Sequence, residues 1–280
     1  MTGGVFILGA GRAGRGLSRA LRASGIELAG LHGRRGEQSP DRVSAGAFPR
    51  AASDAAIVLV AVRDGQLEEA LGELVAARLR ADAVILHASG SAEPRALVGL
   101  RGMGHPCGTF HPLVPIADPA RAAELLRGAW IGVDGDEGAI AASGALARAL
   151  GAHTLRIPAG AKPAYHAAAV IASNYPTVLA ATAARLLVDA GIGDGEAWGA
   201  IRALMRGAVA NLDAETPARA LTGPIARGDV ATVKAHLDAL DSRPEIRALY
   251  ATLARAAVGV ARQGGTDEAP LGEIERLVSE

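Results

Sequence analysis

The chain has 280 residues, 50% of them hydrophobic, with 29 basic and 29 acidic side chains, enough for two domains and a substantial core. This balance argues against a general binder of nucleic acid or anionic membrane, which needs a basic excess to neutralise phosphates. A single cysteine, Cys107, makes neither an intramolecular disulfide nor a thiolate metal site, so no metal and a reducing, cytoplasmic compartment are expected.

In chain order, the first residues enter an apolar run without a basic n-region or cleavage site, so no secretion signal is expected. Val5–Leu8 reads as a strand, 13–24 as a helix closed by Gly25, and 26–31 as a second strand. The apolar run 56–62 predicts a buried strand, after which Asp64 is expected to cap a helix carrying Leu67, Ala70, Leu71 and Leu74. Residues 83–86 and 130–133 repeat the strand signal, followed by a helix over 137–150 and a short strand over 153–157. From Pro163 only helices are read, over 163–190, 195–212, 230–240 and 244–262, with a shorter one near the end. The fold class is therefore α/β: a Rossmann doubly wound parallel sheet over 1–157, then a smaller all-helical domain over 158–280. The apolar stretch 167–183 is broken by Ser173, Asn174 and Pro176, so no membrane span is expected.

Directly after the first strand stands Gly9-Ala10-Gly11-Arg12-Ala13-Gly14. Gly9 suits the tight turn, Gly11 lets backbone approach a pyrophosphate, and Gly14 permits close helix packing, while the helix N-terminus supplies amides and positive dipole. An NAD site normally offers a carboxylate at the end of the second strand. Here the chain reads His32-Gly33-Arg34-Arg35, and two guanidinium groups suit a 2′-phosphate, so NADP is the expected cofactor. Ligands of such sheets lie outside the carboxyl ends of strands, which adds Val62, Arg63, His87, Ser89 and Gly90 to the cofactor crevice.

Pro112 and Pro115 are expected to fix an extended loop around His111, a candidate for orienting substrate. Pro163 suits a first helical position, after which Lys162, His166 and Ser173 share one helical face. Pro176 is expected to kink that helix and turn Asn174 toward a groove. Asp229 is expected to cap the helix that starts at Val230, and Arg227 is a candidate partner for a substrate carboxylate.

The whole chain resembles bacterial Rossmann-like oxidoreductases whose second half is a helical domain of unknown function, relatives of ketopantoate reductases in the 6-phosphogluconate-dehydrogenase-like superfamily. The resemblance rests on Gly9 to Gly14, Thr109-Phe110-His111-Pro112-Leu113, Tyr165-His166-Ala167-Ala168 with Ser173-Asn174-Tyr175, and Thr222-Gly223-Pro224 with Arg227-Gly228-Asp229. It departs from ketopantoate and 3-hydroxyacid reductases in having His166 where their helix centres on lysine and asparagine. The resemblance implies an NADP-dependent reductase of a small carboxylate-bearing carbonyl compound, such as ketopantoate or another 2-oxo acid, and a homodimer formed through the helical domain. His166 is the first candidate proton donor and Lys162 the second. Ser173 and Asn174 join His111 in orienting substrate. The alternatives are a non-catalytic NADP sensor or scaffold, and an imine reductase or oxidative dehydrogenase.

Overall fold

The computed structural model describes residues 3–38 and 40–279, and the chain forms two compact units, Met1–Tyr175 and Pro176–Glu280. The first unit holds one eight-stranded sheet in the order β3-β2-β1-β4-β5-β6-β7-β8. Its strands are β1 (Val5–Leu8), β2 (Leu28–His32), β3 (Val43–Ser44), β4 (Ile57–Val60), β5 (Val84–His87), β6 (Cys107–Pro112), β7 (Trp130–Gly135) and β8 (His153–Arg156). Strands β1 to β6 pair in parallel, β7 is antiparallel to β6, and β8 is parallel to β7. The chain winds out from β1 to β3 and restarts on the other side at β4, so a crevice opens beside the carboxyl ends of β1 and β4.

The helices of this unit are α1 (Arg12–Ala23), α2 (Arg50–Asp54), α3 (Leu67–Ala76), α4 (Val98–Gly102), α5 (Ala122–Leu126) and α6 (Glu137–Ala149). Strands β1 and β4 read VFIL and IVLV with every residue buried, because a parallel strand covered on both faces has no solvent side. Alternate side chains serve opposite faces. Val5, Ile7 and Leu59 pack with Leu17 and Leu21 of α1, Leu126 of α5 and Leu146 of α6. Phe6, Leu8 and Val58 pack with Leu71 and Leu74 of α3 and Leu100 of α4.

Two local expectations change. The loop expected around His111 is a central strand, β6, bonded to β5 and β7 on either side. Glycine interrupts its apolar run because a Cβ at Gly108 would lie 2.9 Å from the Cβ of Ala139. Asp64 opens a 3-10 turn, Asp64–Gln66, but its side chain caps no helix. Its carboxylate instead accepts a 2.6 Å hydrogen bond from Ser91 Oγ and so ties the turn after β4 to the turn after β5.

Helix α7 (Lys162–Asp189) is 28 residues long and runs through Ser173, Asn174 and Pro176 without a break. Among the described residues it is the one helix long and apolar enough to cross a membrane by length and composition, with a hydropathy of 1.2 over its best window. The expected boundary after residue 157 precedes this helix, whereas its first half groups with the sheet. The reason is that Lys162 and Tyr165 bond to β6 side chains. The second unit continues with α8 (Asp194–Ala214), α9 (Pro217–Ala220), α10 (Val230–Ala239), α11 (Pro244–Gln263) and α12 (Glu268–Leu277). Its core joins Val233 and Leu237 of α10, Ala254 and Val258 of α11, and Leu271 and Ile274 of α12. Asp229 caps α10 as expected, accepting from Thr232 N at 3.0 Å and Thr232 Oγ1 at 2.7 Å.

Candidate active site along the carboxyl edge of the sheet

The three motif glycines have three different reasons to be glycine. Gly9 sits at φ +117°, which side chains rarely adopt. A Cβ at Gly14 would fall on the Gly9 carbonyl oxygen, so α1 can approach the turn this closely only without one. Gly11 faces open space, with nothing within 4 Å of where its Cβ would stand. It begins α1 with no side-chain cap. Gly11, Arg12 and Ala13 are exposed, so α1 begins at an open, uncapped positive helix end, where an anion is favoured.

At the end of β2, His32 is buried. Its Nδ1 lies 3.0 Å from Ser44 Oγ and its ring centroid 5.2 Å from that of Phe48. Burial pushes its pKa below the ordinary histidine value. Arg34 and Arg35 follow, exposed, and line a cleft of about 510 Å³. Among the described residues neither makes an ion pair or a side-chain hydrogen bond. Two free forks at a strand end that carries no acid suit a phosphate monoester, and with the Gly11 opening they fit a 2′-phosphorylated dinucleotide.

Further along the edge, sheet register brings polar side chains into rows. His87 of β5 is opposite Thr109 of β6, and Thr109 is opposite Asp134 of β7. Thr109 Oγ1 lies 3.1 Å from His87 Nε2. Lys162 closes this row from α7 and is 0% exposed. Its ammonium donates to Thr109 Oγ1 at 2.6 Å and to the Ala92 carbonyl, and stands 3.4 Å from Asp134 Oδ2. Two residues further on, His111 of β6 faces Gly132 of β7. A side chain at Gly132 would collide with the Tyr165 ring, and the space it leaves lets the Tyr165 hydroxyl reach His111 Nδ1 at 2.7 Å.

His166 completes the second row, its ring centroid 6.0 Å from that of His111. Both rings crowd Gly90, where a Cβ would stand 2.6 Å from His166 Nδ1 and 2.8 Å from His111 Nε2. Among the described residues, His166 Nδ1 is buried without a hydrogen-bond partner, as are His87 Nδ1 and Asp134 Oδ1. Two imidazole nitrogens thus converge beside one glycine at the carboxyl end of β5, a geometry able to hold or pass a proton at a substrate oxygen or nitrogen.

Charge around these histidines is specific. Burial, then the neighbouring His166 and Lys162, push His111 down to about 4. Burial and Lys162 push His87 down to about 3. Both rings are therefore neutral at pH 7. Burial also depresses the Lys162 pKa, against the opposing pull of Asp134, and raises that of the Tyr165 phenol. Burial opposes ionisation of Asp64, but hydrogen bonds from Ser91 and Ser89, with His166 and His87 nearby, hold its pKa below the ordinary value.

A pH dependence of stability follows. The folded pKa values of His87 and His111 lie below the unfolded value near 6.5, so between them the unfolded chain binds more protons. Their contribution is complete above pH 6.5 and is lost as pH falls toward 4. Urea midpoints measured across that range should decline, with a shallower slope in His111→Asn.

The other expected residues lie as follows. Val62 is half-buried and Arg63 exposed just after β4. Ser89 is buried, and its Oγ accepts from Ala92 N at 3.0 Å, shaping the turn that carries Gly90. Ser173 is half-buried, about two helical turns past His166 on α7, and Asn174, the next residue, is exposed. Arg227 is exposed in the second unit. Sequence reasoning passed over Thr109, Asp134 and Tyr165 as site residues. The period-2 spacing of Thr109 and His111 was the signal that both share one face of a strand.

A family model described as a domain of unknown function, DUF2520, matches residues 129–257, just under half of the chain. No curated protein sequence matches. Among solved structures, a protein from Thermotoga maritima is 24% identical with a TM-score of 0.72, over 92% of this chain and 98% of that one. A protein from Bacteroides fragilis named as a putative NADP oxidoreductase is 20% identical with a TM-score of 0.71, over 90% and 96%. The pyrroline carboxylate reductase of Plasmodium falciparum, solved with NADP bound, is 11% identical with a TM-score of 0.65, over 98% of each chain. At these identities the likeness establishes the fold, a Rossmann-type sheet followed by a helical part.

Proposed function

We propose that this protein is an NADP-dependent reductase acting on the C=O or C=N carbon of a small molecule bound beside Gly90, His111 and His166. The observation that carries the reading is the layout of one sheet edge. The open Gly11 turn and the unpaired Arg34 and Arg35 stand at one end, and the converging His111 and His166 nitrogens at the carboxyl end of β5. In this reading NADPH, when bound, supplies the hydride. The turn from Gly9 to Gly14 holds its pyrophosphate and Arg34 and Arg35 its 2′-phosphate, while Val62, Arg63, Ser89 and Gly90 border the remaining crevice.

His166 is the proton donor to a developing alkoxide, because its Nδ1 has no competing partner. His111, neutral at pH 7 and bonded to Tyr165, orients the substrate as a hydrogen-bonding group. Lys162, fully buried among three acceptors, holds the strand ends in register and leaves proton transfer to His166. Asp64 bears on the substrate. An ionised carboxylate that interacts with His166 and His87 favours a cationic C=N group over a second anion. The similarity to a pyrroline carboxylate reductase supports the same choice, since a pyrroline is a cyclic imine. Ketopantoate and other 2-oxo acids remain the carbonyl arm of the test.

NADPH oxidation should be followed with cyclic imines, iminium compounds and 2-oxo acids, in wild type, His166→Ala and Gly90→Ala. Turnover in one class that both variants reduce by about 100-fold or more is the expected result. Tight NADPH binding without turnover across all classes would point instead to a sensor or scaffold.

The helical part serves as a dimer face in this proposal. Trp198, Leu204, Val209 and Leu212 of α8 are exposed apolar side chains in a helix that buries only Ala197 and Ile201. Sedimentation should give twice the 28.2 kDa chain mass, and Leu204→Glu with Leu212→Glu should shift it toward one chain.

A further inference from the structure

We infer that Arg15 sets the preference for a 2′-phosphorylated dinucleotide, by locking the Arg34 and Arg35 segment to the glycine turn; this rests on the cofactor reading above. Arg15 lies on α1 and uses all three guanidinium nitrogens. Nε donates to the Ala10 carbonyl at 2.9 Å, inside the glycine turn. Nη1 donates to Asp41 at 2.8 Å and Nη2 to Glu37 at 2.5 Å, both in the segment after β2. One side chain thus spans the part of the site that would hold the pyrophosphate and the part that would hold the 2′-phosphate.

The segment is pinned at both ends of the arginine pair. Gly33 N donates to the Ser44 carbonyl at 2.9 Å, and Glu37 and Val43 exchange backbone hydrogen bonds at 2.8 and 2.6 Å. Arg34 and Arg35 lie between those two anchors. Arg42 has φ +53°, a left-handed conformation that a non-glycine residue keeps only when its surroundings impose it. Its neighbour Asp41 is buried and accepts from Arg15 and also from Arg19 Nε at 2.7 Å and Nη2 at 3.0 Å. The charges of Arg15 and Arg19 are matched by those of Glu37 and Asp41, which leaves Arg34 and Arg35 without an acidic partner among the described residues. Arg15 is therefore a positioning residue. Lysine, with one nitrogen, keeps the charge but cannot make the three-way connection.

The test is fluorescence titration of the full chain with NADPH and with NADH, in wild type, Arg15→Lys, and Arg15→Met with Glu37→Gln, which preserves net charge. Both variants should lose about tenfold in the NADPH-to-NADH affinity ratio, mostly through weaker NADPH binding. Arg19→Gln, which removes two of the hydrogen bonds to Asp41 and leaves Arg15 whole, should move the ratio less in the same direction, and it stands in if the Arg15 variants melt early. An unchanged ratio in all variants, or equal weakening of both cofactors, would overturn the inference. Absence of any NADPH preference in wild type, or its survival in Arg34→Ala with Arg35→Ala, would instead overturn the cofactor reading on which it stands.

Discussion

Lys162→Met should cost about 3–5 kcal/mol of folding stability, the size expected when one member of a buried ion pair is removed and the other is left behind. The residue left behind is Asp134, 8% exposed and already lacking a partner for Oδ1. Thr109 Oγ1 and the Ala92 carbonyl lose their donor at the same time. The deficit should show as a lower urea midpoint with an unchanged slope. Lys162→Met with Asp134→Leu should recover most of it. A proton-donor role would give the opposite pattern, with turnover lost and stability kept. Removing Lys162 also removes one of the influences that keep His111 near 4, so the His111 pKa should rise in the variant.

Arg34→Ala with Arg35→Ala should weaken NADPH binding by about 100-fold while changing NADH binding little, since each charge-assisted contact to a phosphate contributes about 1.5 kcal/mol or more. The two side chains are exposed and unpaired among the described residues, so their removal leaves no buried partner stranded. Melting temperature should therefore stay within the narrow range of ordinary surface substitutions. The NADPH affinity of wild type should fall with rising salt more steeply than that of the double variant.

What the sequence discloses here is what is local. Gly9, Gly11 and Gly14 declare their turn because each conformational demand is met within a few residues, and Arg34 and Arg35 follow their strand directly. The buried runs of β1 and β4 announce a parallel sheet by hydrophobicity alone. The site around Lys162 was harder to read, because its partners come from Ala92, Thr109 and Asp134, brought together only by sheet register. For the same reason β6 read as a loop. Pro112 and Pro115 look like breakers until β5 and β7 are known to flank the segment around His111. Asp64 looked like a helix cap because aspartate before a helix usually is one, and only the turn after β5 reveals Ser91 as its partner. Helical spacing did place Lys162 and His166 on one face, yet it gave no sign that the first would be sealed inside and the second left without a partner.

The central claim is most directly tested by one paired titration, NADPH against NADH on purified wild-type protein at physiological salt. At least tenfold tighter binding of NADPH is predicted, from the two unpaired arginines and the absence of an acid at the end of β2. Equal affinities, or no binding of either nucleotide, would contradict it.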